Sequence, residues 1–208
     1  MTTIFYVLVA VAVGFGLGRY RSYAFQNRGE GLVAKSLMSN FASSEYHLMN
    51  SITIQMQDGT TQIDHILVSR FGVFVIETKH YKGWIFANPT HPTWTQVIYK
   101  NKFKFQNPVY QNQRHIRAVQ SVLDFLPASG ISSAVVFTGD AEFKTLLPNG
   151  VFRLKAFLAH LRLQTQPLLS AQQMELCIGR LEANRLTLTK KTDVDHVQSV
   201  QRRHGSTD

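Results

Sequence analysis

The chain has 208 residues, 44% hydrophobic and 17% charged, with 22 Lys and Arg against 13 Asp and Glu and a formal net charge of +9. This composition excludes an intrinsically disordered chain and supports one globular domain with a sizeable core plus segments outside it. The single cysteine, Cys177, excludes a disulfide framework or a cysteine-based zinc cluster, and the basic excess suits either a polyanionic partner, nucleic acid or membrane, or solubility alone.

Met1 to Gly18 carries no charged side chain, and Ile4 to Gly18 is strongly apolar. As a helix, eighteen residues span roughly 27 Å, just short of a hydrocarbon core. Arg19 and Arg21 follow at once, with Tyr20 and Tyr23 as interfacial aromatics. A secretory signal would place positive charge before the apolar run and a small-residue cleavage site after it, and neither is clear. The expectation is a single-pass transmembrane anchor over residues 1–20, with the amino terminus outside and the rest cytoplasmic, at the inner membrane if the source is bacterial. Gly14 and Gly18 form a G-x-x-x-G spacing that would let two such helices approach as a homodimer.

Residues 27–41 read as a helix. Asn27 can cap it, and Glu30 can complete a capping box. Glu30, Ala34, Leu37 and Phe41 also share one helix face, so Glu30 is either a cap residue or an acid aimed inward from the first turn. Tyr46 to Met56 reads as a strand and Asp58-Gly59 as a turn.

Gln62 to Lys82, QIDHILVSRFGVFVIETKHYK, then reads as two strands, Ile63 to Ser69 and Val73 to His80, joined by Arg70-Phe71-Gly72. Alternation puts Asp64 on a face with Ile66 and Val68, and Glu77 on a face with Lys79. Two carboxylates and one ammonium thus stand on strands otherwise made of core residues. A buried charge is costly unless it is paired or holds a metal.

Gly83 to Phe86 is a short strand, and Asn88 to Pro92 a loop. Trp94 to Lys100 and Lys102 to Phe105 form a hairpin around Asn101. Its alternating Lys100, Lys102 and Lys104 with Tyr99, Phe103 and Phe105 suit a nucleic-acid surface, and equally an ordinary hairpin with a solvated face. Asn107-Pro108 starts a helix that runs to about Leu126 and stops at Pro127. Gln111 and His115, four apart near its beginning, lie beside the apolar stripe. They can serve a phosphate at the helix amino terminus or simply be satisfied internally.

Ile131 to Thr138 is a buried strand, and Val151 to Leu154 reads as another. Leu154 to Leu163 and Ala171 to Leu186 look helical, and residues 189–208 read as a poorly ordered basic tail. The domain layout expected is an anchor at 1–20, a core domain at 27–163, a helical extension at 164–188 and the tail.

Asp64, Glu77 and Lys79 form a D…E-x-K arrangement. Two carboxylates from neighbouring strands can hold a hard divalent cation such as Mg²⁺ with water completing the shell, and Thr78 could add its main-chain carbonyl. Lys79 would then orient a water or stabilise charge developing at phosphorus. Taken alone, the same three residues could be a structural ion pair.

Gly29-Glu30, QIDHILVSRFGVFVIETKHYKGWIF from Gln62, Trp94-Thr95-Gln96, FQNPVYQNQRH from Phe105 and AVVFTGDAEF from Ala134 together resemble the NERD, or nuclease-related, domain of the PD-(D/E)XK phosphodiesterase superfamily. The resemblance covers about Arg28 to Phe143 and more loosely the region to Leu163. It implies an α/β restriction-endonuclease-like core with a central mixed β-sheet flanked by helices, preceded here by one transmembrane helix. It implies Asp64 and Glu77 as metal ligands for Mg²⁺ or Mn²⁺, Lys79 as the catalytic lysine, and Glu30 and Gln111 on core helices facing the site. His65 and His115 also match family positions, in supporting roles. Ile63 stands where the superfamily's name would place a proline, a departure that removes no ligand. The function expected is a membrane-anchored, metal-dependent nuclease acting on DNA, with DNA processing or repair as its setting. The alternative is a non-catalytic, membrane-tethered nucleic-acid-binding or protein-interaction module.

Overall fold

The computed structural model describes residues 27–186. Its elements are helix α1 (27–40), strands β1 (Tyr46–Met56), β2 (Gly59–Ser69), β3 (Gly72–His80), β4 (Gly83–Phe86), β5 (Thr93–Ile98) and β6 (Asn101–Gln106), helix α2 (Pro108–Val122), strands β7 (Ile131–Thr138), β8 (Ala141–Phe143) and β9 (Val151–Arg153), and helices α3 (Leu154–Arg162) and α4 (Ala171–Asn184). The expected anchor over 1–20 and the tail over 189–208 lie outside the described residues. Among the described residues, no helix is long and apolar enough to cross a membrane.

Five strands form a mixed sheet in the order β1-β2-β3-β7-β9. The first two pairings are antiparallel, and β3-β7 and β7-β9 are parallel. β3 is the central strand and is covered on both faces, which is why it reads as a nearly continuous apolar run. Odd and even positions of β3 serve different cores. Val73 and Val75 meet Ala118 and Val119 of α2 and Cys177 and Leu181 of α4. Phe74 and Ile76 meet Val33 and Leu37 of α1 and Phe157 of α3. The result is a helix–sheet–helix sandwich, the mixed α/β architecture expected from the sequence.

A second sheet, in the order β6-β5-β4-β8, packs by Ile85 and Trp94 on Val135 and Phe137 of β7. Gly83 makes its first turn possible. Its φ is +78°, and a Cβ there would collide with the Val97 carbonyl.

Several boundaries differ from expectation for physical reasons. α2 ends at Val122, and the chain continues to Leu126 in tight turns, with Leu123 N–H on Val119 O and Leu126 N–H on Leu123 O. Residue 27 is already helical, so the cap of α1 is not Asn27. The three-residue strand β8 has no alternating run long enough to signal it, and it exists through parallel pairing with β4. The segment expected as an extension from 164 is part of the main core. Met174, Cys177 and Leu181 of α4 fill the α2 side, and Leu186 N–H bonds Thr53 O at 2.8 Å.

One side chain fixes how α2 sits on the sheet. Asn112, fully buried, donates from Nδ2 to Val75 O at 2.9 Å on β3, and to Ser133 Oγ at 2.8 Å and Ala134 O at 3.3 Å on β7.

Candidate active site

The charged residues of β2 and β3 meet where the β2–β3 ladder stops. Its last register pair is His65 with Ile76. Beyond it, the Thr78 N–H is taken by Asp64 Oδ2 at 2.7 Å, so a carboxylate substitutes for the neighbouring strand. The sequence-based expectation that Asp64 shares a face with Ile66 and Val68 rests on strict alternation, and alternation breaks here. Ile63 and Ile66, three apart, line the same core cluster. The β1–β2 register passes from Asn50–His65 to Ile52–Ile63 without pairing Ser51 and Asp64, and Ser51 has φ +52°. This irregularity turns Asp64 toward the β3 backbone.

Glu77 and Lys79 do share a face, as alternation requires, and it is the face under α2. Lys79 Nζ donates to Glu77 Oε1 at 2.6 Å and to Gln111 Oε1 at 3.0 Å. His115, one turn further along α2, has Nε2 3.0 Å from Glu77 Oε2, and its Nδ1 is 2.8 Å from Thr61 Oγ1 on β2. The Nε2–H form satisfies both contacts: the ring donates to the carboxylate and accepts from the Thr61 hydroxyl. Glu77 is thereby held at both oxygens.

Glu30 arrives from the other side of the sheet. Gly29 lets α1 approach closely, because a Cβ there would lie 2.5 Å from His80 Cβ and 2.8 Å from Thr138 Oγ1. Glu30 is half-buried as a result. Burial raises its pKa, and the negative charge of Glu77 raises it further against the pull of Lys79.

Electrostatics separate the two strand acids. Asp64 is pushed well above the usual carboxylate range, chiefly by burial and then by the charges of Glu77 and Glu30. Burial also pushes Glu77 up, but the Lys79 ammonium and the His115 hydrogen bond outweigh it and bring the carboxyl to about 2. Lys79 loses by burial and gains more from Glu77, ending at about 12. The pair Glu77–Lys79 is therefore held ionised, whereas burial and neighbouring negative charge disfavour the ionised forms of Asp64 and Glu30.

These oxygens suit a hard divalent cation. Asp64 uses only Oδ2 internally, and the repulsion that Glu30 and Glu77 impose on it is what a cation would relieve. Mg²⁺ is commonly held by one or two carboxylates and water, so a cage is not required. Among the described residues, no three His, Cys, Asp or Glu side chains form one. Glu77 would have to release its Lys79 contact to bind directly.

Asp64, Glu77, Lys79, Glu30 and Gln111 come together, whereas Thr78 and His65 are engaged in other ways. Thr78 contributes its N–H to Asp64, while its hydroxyl is buried without a hydrogen-bond partner. His65 is buried, bonds Asn50 Oδ1 at 2.7 Å, and leaves Nε2 without a partner; burial lowers its pKa to about 4. Thr61 and Asn112 were not foreseen. Thr61 sits two residues before Ile63 on one face, and Asn112 three before His115 on one helix face, so periodicity alone contained their positions without their roles.

The family profile described as the nuclease-related domain matches residues 26–138. An uncharacterized protein of Bacillus anthracis is 42% identical over 97 residues, which are 46% of this chain and 45% of that protein. The chain thus spans less than half the length of this curated relative. The profile covers α1, the strands bearing Asp64, Glu77 and Lys79, α2 and all of β7, more than half of the sequence, and the chain belongs to the nuclease-related domain (NERD) family.

Proposed function

We propose that this chain is a metal-dependent nuclease that hydrolyses phosphodiester bonds of DNA, tethered to a membrane by its amino-terminal apolar segment. The observation that carries the reading is the ionised Glu77–Lys79 pair beside an Asp64 whose ionisation is penalised. A structural ion pair needs only one carboxylate, whereas here Asp64 and Glu30 also feel the charge of the Lys79 ammonium that Glu77 binds. Nuclease-like domains commonly use divalent metals, and Asp64 and Glu77 would hold Mg²⁺ or Mn²⁺, with the Thr78 carbonyl as a further oxygen. When bound, such an ion polarises a phosphoryl oxygen and makes water more acidic.

The chain's own groups supply the rest. Lys79, fixed by Gln111, presents its ammonium to charge developing on the phosphoryl oxygens. His115, backed by Thr61, keeps Glu77 in one orientation. Glu30, with its raised pKa, is suited to accept a proton from the attacking water. Arg19 and Arg21 after the apolar run support a cytoplasmic position for the domain.

The test is the full chain, in detergent, with single- and double-stranded DNA and RNA and either Mg²⁺ or Mn²⁺. Cleavage should fall by about 10²–10³-fold in Lys79→Ala. No cleavage on any substrate, or equal cleavage in that variant, rejects the proposal. The full occupation of both Glu77 oxygens favours a second reading, a non-catalytic tethered binding module. Calorimetry separates the two: that module would take up no Mg²⁺ or Mn²⁺ through Asp64 and Glu77.

A further inference from the structure

We propose that the outer face of the small sheet binds a single-stranded segment of nucleic acid, stacking bases on Trp84 and Phe86 and taking the phosphates on Lys102, Lys104 and Lys144. This deepens the nucleic-acid reading above but does not depend on turnover.

Burial alternates sharply along β4. Ile85 and Ala87 are 0% and 5% exposed, whereas Trp84 and Phe86 are 48% and 40% exposed. Strand register carries the outer face across the sheet. Trp84 is opposite Val97, and Val97 is opposite Lys102; Phe86 is opposite Thr95, and Thr95 is opposite Lys104. Trp84, Phe86, Thr95, Val97 and Lys102 line one shallow hollow. On the other flank, Lys144 Nζ lies 4.6 Å from the centroid of the Trp84 ring and also pairs with Glu142. The face therefore carries three ammonium groups against one carboxylate.

Trp84, with Lys144 over its ring and a side-chain hydrogen bond to Glu142, and Phe86 both stay partly exposed, and this is informative because the same sheet shows the opposite arrangement. Trp94, on the neighbouring strand, is 1% exposed and donates from Nε1 to Asn88 O at 2.7 Å. Trp84 and Phe86 are two residues apart on one strand, so their side chains are about 6.6 Å apart along it. That matches the step between bases of an extended single strand. A duplex keeps its bases stacked on each other and offers no face to the rings. An anionic membrane would also attract lysines, but here Thr95 and the lysines interrupt the apolar rows.

The position is also apt. The inner side of this sheet packs on β7, and Tyr81, in the connection from β3 to β4, packs its ring on Phe105 and Phe137 at 4.8 and 6.1 Å. A strand lying on the outer face would be held by elements rigidly joined to those bearing Lys79.

The experiment uses the full chain in non-ionic detergent with EDTA and a fluorescein-labelled oligothymidylate of about sixteen nucleotides, read by anisotropy. Trp84→Ala and Phe86→Ala should each weaken binding by about ten-fold or more. Lys102→Glu combined with Lys104→Glu should weaken it and lower the slope against salt by about two. Trp94 is buried, so quenching of tryptophan emission on binding should vanish in Trp84→Phe. The proposal is overturned if the ring variants and the lysine variant, the latter altering only exposed side chains, all bind oligothymidylate like the parent. It is equally overturned if Trp84→Ala lowers partition into phosphatidylserine vesicles with oligothymidylate affinity unchanged, which would make the face a membrane surface. EDTA removes turnover from the measurement, so a chain that binds here yet fails the cleavage test with Mg²⁺ and Mn²⁺ refutes the nuclease reading and leaves this one standing.

Discussion

Asp64 and Glu77 carry opposite electrostatic burdens although their strands are adjacent. A carboxyl whose folded pKa is raised destabilises the fold once pH exceeds both its unfolded and folded values, so at neutral pH Asp64 costs stability. Glu77, brought down to about 2, stabilises the fold above the ordinary glutamate range, and that contribution is lost as pH falls through about 2. Asp64→Asn keeps an oxygen to accept from the Thr78 N–H and removes the charge. In EDTA it should therefore raise stability by about 0.5–2 kcal/mol, seen as a higher Tm in thermal unfolding at pH 7. Mg²⁺ should then raise the Tm of the parent and leave the variant unmoved. A variant that is less stable than the parent in EDTA would show that Asp64 is there for structure.

At the scale of elements, the site depends on how closely α1 meets the ends of β3 and β7. Gly29 sits against His80 and Thr138, and a methyl group there has no room. Gly29→Ala should cost about 1–3 kcal/mol of stability by overpacking, measurable by urea unfolding. It should also lower activity with Lys79, Glu77 and Asp64 unaltered, because the shift carries Glu30 away. Most of these elements were legible in the sequence. β3 betrayed itself by a long apolar run ending in charge, and α2 by Asn107-Pro108, whose Asn side chain does accept from Val109 N–H at 3.0 Å. The shared face of Glu77 and Lys79 followed from the period of 2, whereas the period of 3.6 put Gln111 beside the apolar stripe of α2 and only the family resemblance turned it toward the site. Asp64 was singled out as a charge on an apolar strand, but its direction was not legible, because the loss of alternation at Ser51 is a property of two strands paired together and leaves no mark on either alone. The role of His115 was hidden for a similar reason, since it takes Thr61 and Glu77 from two strands to define it.

For the molecule as a whole, the boundary of the folding unit lies beyond the boundary of the family match. The profile ends at 138, yet α4 closes the same core that α2 and the sheet build. Leu181 is fully buried there, and Leu181→Ala should cost about 2–5 kcal/mol in chemical denaturation. Ending the chain at residue 163 should leave that face of the sheet covered by α2 alone and yield a protein without a cooperative thermal transition. If the shortened chain melts cooperatively at an undiminished Tm, α4 is an appendage after all. The sequence reading set residues 164–188 apart as a helical extension; only the contacts of Met174, Cys177 and Leu181 reveal the sheet beneath α4. The clip formed by Asn112 has a consequence of a different kind. By grasping β3 and β7 at once, it indexes the rotation of α2, like a key in a shaft. An α-helix turns by 100° per residue, so a single insertion between Asn112 and His115 would swing the imidazole out of reach of Glu77 while every side chain of the site remained present. The information that aims the helix at the charges is thus a count of residues, and grafting this site onto another scaffold would require carrying that count, with its amide peg, along with the charges themselves.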